Sequence, residues 1–165
     1  MSNKQCTMAT LAGGIAMFAT GYLLYELAFG DFFASNTGTA TGVMRETPLY
    51  WSIIIGSFIM AAFLVMVIGW RGDSSAGAGL KTGALVGLIT ALGSNFVMYG
   101  AYNLANLTST LAGAVVDMIL FGVSGAVIGT VLSTASASAT PTSASAPPTA
   151  GAAEEATEHD GFSDT

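Results

Sequence analysis

Apolar residues fall in four long runs along this chain, not in the narrow stripes of water-soluble amphipathic helices. The runs cover about residues 8–30, 49–70, 80–102 and 110–132. Glu26 is the only charge in the first and the second has none. Lys81 sits at the edge of the third, and Asp117 is the only charge in the fourth. A helix that crosses a bilayer needs about 20 mostly apolar residues, and each run has that length. The pattern predicts an all-α integral membrane protein, an antiparallel four-helix bundle over 8–132. A short N-terminal segment, 1–7, precedes it and a tail, 133–165, follows.

The flanks support these runs. Pro48 precedes the second run, where the start of a helix tolerates proline. Trp51 and Trp70 bracket it, about 28 Å apart along a helix axis, close to the hydrocarbon thickness that tryptophan belts delimit. The first run is too long for the core of a cleaved leader and lacks an A-x-A site, so it is expected to stay as a span. Four spans put both termini on one side. Lys4, Arg71 and Lys81 fall on that side and Arg45 alone on the other, which predicts cytoplasmic termini and a multi-pass protein of the bacterial inner membrane.

Beyond residue 132 the pattern ends. Residues 133–153 are almost entirely Ala, Ser, Thr, Pro and Gly, and 154–164 add Glu154, Glu155, Glu158, Asp160 and Asp164 without a cation. Such a segment buries too little apolar area to offset its ordering entropy and is expected to be disordered. It could meet a basic soluble partner or serve only as a solvating tail.

Composition narrows the chemistry. Of 165 residues, 52% are hydrophobic and only 8% charged, far below a soluble domain. Four Lys and Arg against ten Asp and Glu argue against nucleic-acid binding. One Cys and one His supply no disulfide framework and no metal cluster, so no cofactor is expected. Motifs for zinc hydrolysis, serine nucleophiles or phosphate loops are absent, and the chain is not expected to be an enzyme.

Small residues repeat at helical spacing. Gly79, Gly83 and Gly87 recur every fourth residue, Gly125 and Gly129 repeat the device, and Ala12, Ala16 and Thr20 offer a weaker version. Helices in lipid associate by close packing, and such rows let backbones approach. The spacing leaves open whether the facing helix belongs to this chain or to a second copy, so a homo-oligomer is compatible with it.

Glu26 and Asp117 are the candidate functional groups, since an ionisable side chain within a span is costly. They lie about 6 Å and about 10 Å inside their runs, toward the same side. Asn95 and Tyr99 share a face of the third helix with Tyr102 and Asn106, and Tyr22 stands one turn from Glu26. Protonated, the acids would donate hydrogen bonds to Asn or Tyr oxygens and join helices. Ionised, they could hold a proton, Na+ or a cationic substrate.

Gly21-Tyr22-Leu23-Leu24-Tyr25, Phe29-Gly30, the repeat from Gly79-Leu80 through Gly87, and Val116-Asp117 resemble a family of small uncharacterised four-span bacterial membrane proteins over about residues 10–132. Leu24 and Leu27 stand where that pattern carries Trp and Pro. The resemblance implies a four-helix membrane fold and supplies no activity. The expected function is a structural or interaction component in the lipid bilayer. The alternative is a small proton- or cation-coupled transporter using Glu26 and Asp117.

Overall fold

Five α-helices and one π-helical turn account for the regular structure in the computed structural model, which describes residues 2–72 and 74–137. Helix α1 spans Asn3–Tyr22, the π turn Leu23–Ala28 and the short α2 Gly30–Ser35. Helix α3 spans Tyr50–Arg71, α4 Ala76–Ala101 and α5 Leu107–Ala137. Four of these stretches are long and apolar enough to cross a membrane: Asn3–Ala28, Tyr50–Arg71, Ala76–Ala101 and Leu107–Ala135.

Capping chemistry sets the ends, and it shifts them from the expected limits. Helix α1 starts at Asn3, within the segment 1–7, because Ser2 and Gln5 form a capping box: each side chain takes the other's backbone N–H. Ser75 caps α4 through the Ala78 N–H, ahead of the expected start at 80. Asn106 caps α5 by accepting from Ser109 N at 2.9 Å, so that helix begins at Leu107 and not at 110. At the end of α3, Gly72 takes φ 73°, the left-handed conformation that closes a helix at low cost for glycine. Helix α5 runs past 132 to Ala137, and along this stretch the Ser133 and Thr134 hydroxyls donate back to the Thr130 carbonyl, at 2.9 and 2.8 Å. Residues 138–165, which hold most of the expected acidic tail, lie outside the described residues.

Helix α5 is the centre. Half of its most apolar stretch is buried (50%), against 22% for α1 and for α3 and 11% for α4. It packs most extensively on α4, then on α1, and α1 packs on α3. The α4–α5 seam joins backbone to backbone. Gly79 lies against Gly125 and Gly129, Gly83 against Phe121 and Gly125, and Gly87 against the Asp117 carbonyl, so the numbering falls along one helix as it rises along the other. A methyl group on Gly79, Gly83 or Gly125 would overlap a facing carbonyl oxygen. The glycine rows therefore meet within one chain. On α1 the close approach uses Gly13 against Ile128 and Gly14 against Phe58, not the row of Ala12, Ala16 and Thr20.

Helix α3 is held most firmly toward its C-terminal end. Ala61, Leu64, Val65 and Ile68 are buried, while residues 50–60 contribute none. Near its end Arg71 Nη1 donates to Thr82 Oγ1 of α4 at 3.0 Å. At the opposite end of the molecule two loops are zipped together. Gly38 N donates to Leu104 O (2.9 Å), Ala40 N to Asn103 O (3.1 Å) and Asn106 N to Asn36 O (3.2 Å). Asn106 Nδ2 donates to Asn36 Oδ1 at 3.0 Å, and Asn103 Nδ2 donates to Thr39 Oγ1. Each long helix also turns large apolar side chains outward, among them Ile15, Ile59, Ile89 and Ile119.

The seam makes a paired prediction. Gly83→Ala should lower unfolding free energy in detergent by about 1–3 kcal/mol, the cost of forcing volume into a closed contact. Gly93→Ala, on the same helix with nothing within 4 Å, should not lower it and should raise it by up to about 1 kcal/mol through helix propensity. Equal melting temperatures for the two variants would refute the seam.

Candidate functional site

The site is built on the π turn. Phe29 N donates to Leu24 O at 2.8 Å, one residue beyond the α-helical partner, and such turns are frequent at functional positions. Upstream, Gly13 faces Ile128 of α5 and a methyl on Gly21 would meet Leu120 at 3.7 Å, so this row of α1 runs along α5. Tyr25, one turn beyond Gly21, continues the row. Its hydroxyl donates to Asp117 Oδ1 at 2.7 Å and lies 3.4 Å from the Gly113 carbonyl. Tyr25 and Asp117 are both half-buried, and the Tyr25 ring packs on Phe33 with centroids 5.2 Å apart.

The other polar residues named from the sequence divide into two groups. Asn95 is half-buried, and its Nδ2 donates to the Thr110 carbonyl at 3.2 Å, tying α4 to α5 in the layer of Tyr25 and Asp117. Tyr99 is exposed but borders the same layer. Glu26 and Tyr22 are exposed and make no hydrogen bond with a described residue, so the carboxyl beside Tyr25 is not paired with Asp117. Tyr102 and Asn106 leave the helical face of Asn95 and Tyr99 because α4 ends at Ala101. Asn106 instead holds the start of α5. The helical spacing of Tyr22 and Glu26 hid the role of Tyr25. The signal that finds it is the row of Gly13, Met17 and Gly21, which marks the side of α1 that meets α5.

Two cavities flank Tyr25, which lines both. The larger, about 360 Å³, is a groove between α1, the first half of α3, and α5. Tyr22, Glu26 and Tyr50 line it together with Met17, Met60 and Phe121. The smaller, about 200 Å³, lies toward α4 and the zipped loops, with Asn95, Tyr99 and Thr110 in its wall. Among the described residues no cluster of three or more His, Cys, Asp or Glu could hold a metal ion. Cys6, a half-buried free thiol, lies near the start of α1, away from both cavities.

Compared with family models, with curated proteins and with solved structures, the chain gives no match.

Removing the Tyr25 hydroxyl isolates its contribution. Tyr25→Phe keeps the ring contact with Phe33 and strips Asp117 of its donor, and it should cost about 0.5–2 kcal/mol, the range measured for such bonds between helices in lipid. Asp117→Asn retains an acceptor oxygen and should cost less. Tyr22→Phe should be neutral. If Tyr25→Phe and Tyr22→Phe unfold at the same denaturant concentration, the hydroxyl contributes nothing.

Proposed function

We propose that the chain is a multi-pass protein of the bacterial inner membrane. Its four long helices form an antiparallel bundle with both termini in the cytoplasm. It acts as a non-catalytic interaction component that admits an occupant from the bilayer into the groove beside α3. The observation that carries this reading is the uneven packing of α3. One face of its second half, Ala61, Leu64, Val65 and Ile68, is buried in the bundle, while residues 50–60 leave a 360 Å³ groove beside them. A purely structural bundle would close that gap, since an unfilled apolar cavity forfeits packing energy.

The exposed apolar side chains on every long helix support the membrane placement, for water-soluble monomers rarely expose so continuous an apolar surface. Lys4, Arg71 and Lys81 against Arg45 support the orientation. The resemblance to small four-span bacterial membrane proteins points the same way. A transporter using Glu26 and Asp117 together finds less support: Asp117 is engaged by Tyr25, and Glu26 opens onto the groove without reaching Asp117.

Two measurements test the reading. In a Cys6→Ala background, a membrane-impermeant thiol reagent applied from outside should modify Thr41→Cys and miss Gly77→Cys, both at exposed positions. Modification of both would refute the four spans, and the reverse pattern would refute the orientation. Separately, an apolar aryl diazirine dissolved in the bilayer should leave photo-adducts on Met60, and Gly21→Leu, which fills the groove, should remove them. Absence of adducts on Met60 in the wild type would mean that the groove does not open to lipid, and adducts that persist in Gly21→Leu would mean that Met60 is reached by a route other than the groove.

A further inference from the structure

The groove has a polar end and an apolar end, ordered along the helices. Gly13 lies by Ala61 and Gly14 by Phe58, which places the Glu26 end of α1 beside the start of α3. Glu26, Tyr22 and Tyr50 thus line one end, and Met17, Met60 and Phe121 line the other. From Tyr50 to Met60 the groove follows α3 for about 15 Å. Exposed Trp51 stands next to Tyr50, at the level where aromatic side chains mark the edge of the hydrocarbon layer. Polarity along the groove therefore runs as it does along a lipid, head group outermost and acyl chain inward.

Resting on the membrane reading above, we propose that this groove binds one phospholipid with an ammonium-bearing head group. Its ammonium sits on Glu26 and one acyl chain lies along Met17, Met60 and Phe121. Charge selects the head. The Glu26 carboxylate accepts no hydrogen bond from a described residue, so it is open to a cation, and a tyrosine ring beside it attracts a cation as well. The hydroxyls of Tyr22 and Tyr50 are donors suited to the phosphate oxygens. An anionic head group without an ammonium would face the carboxylate instead. Size selects the rest. A single acyl chain is narrow enough to lie along the about 15 Å of apolar wall between α1 and α3. A small water-soluble cation would leave the apolar end unfilled.

The test uses the full chain, stripped of lipid in detergent. It is titrated in native mass spectrometry with phosphatidylethanolamine and with phosphatidylglycerol of identical acyl chains. Wild type should bind one phosphatidylethanolamine roughly fivefold more tightly than phosphatidylglycerol, the upper end of what a water-reachable ion pair contributes. Glu26→Gln should bring the two affinities within about twofold of each other while keeping the wild-type melting temperature, because no internal bond is lost. Gly21→Leu should weaken both lipids alike: its Cβ meets only Leu120 at ordinary contact distance and the rest of the side chain fills the groove. Equal affinities in wild type, a preference for phosphatidylglycerol, or a phosphatidylethanolamine preference that survives Glu26→Gln would each overturn the proposal. If lipid selection fails while the cysteine labelling pattern holds, only the ligand is wrong. If the labelling pattern fails, the membrane reading itself falls.

Discussion

Everything in this molecule depends on two helices touching through their backbones. Where Gly79 and Gly83 of α4 meet Gly125 and Gly129 of α5, no side chain separates the polypeptides. Contact at that range adds many small dispersion terms along the seam, and each falls away steeply if the helices part by even an ångström. With α4 fixed on one side, α5 presents its remaining surface to α1. Only with α5 in that position can the Tyr25 hydroxyl reach Asp117.

The same seam explains what is left incomplete. Helix α5 spends its surface on α4 and α1, and α3 inherits mainly the outer side of α1. Phe58 and Ala61 find Gly14 and Gly13 there. Beyond that level α1 continues as far as Tyr22 before the π turn, and the groove opens between it and the first half of α3. The groove is thus the geometric remainder of a bundle with one dominant contact. The polar groups at its mouth, Glu26 and Tyr22, are those that the π turn does not direct into the protein.

Much of the architecture is legible in the sequence, for a physical reason. A helix long and apolar enough to cross a membrane carries almost no charge over some twenty residues, and four such stretches announce themselves by that absence. The glycine rows are equally visible because their four-residue spacing keeps them on one face. The ends are harder to read, since they depend on single side chains such as Ser2, Gln5 and Asn106 that bond to backbone just outside the apolar runs. The site was half legible. Asp117 and Asn95 stood out as polar groups within spans, but the helical spacing that links Tyr22 to Glu26 also drew attention away from Tyr25. A π turn changes backbone register without changing composition, so no pattern of residue types marks it. The groove was invisible, because it arises from what α3 does not touch.

The central position of α5 bears on how the bundle is made. It follows every other described helix in the chain, yet α1 and α4 both rest on it. On the membrane reading, α1 and α4 enter the bilayer before their principal partner exists. They reside there as separate helices, stable because each satisfies its own backbone. Association then waits for the last helix, which must slide between two neighbours already surrounded by lipid and expel that lipid from a seam too tight to admit any. Insertion and assembly are therefore distinct events in this protein. The first is driven by transfer of apolar side chains out of water, the second by the fit of bare backbone against bare backbone, and the arrival of α5 divides them in time.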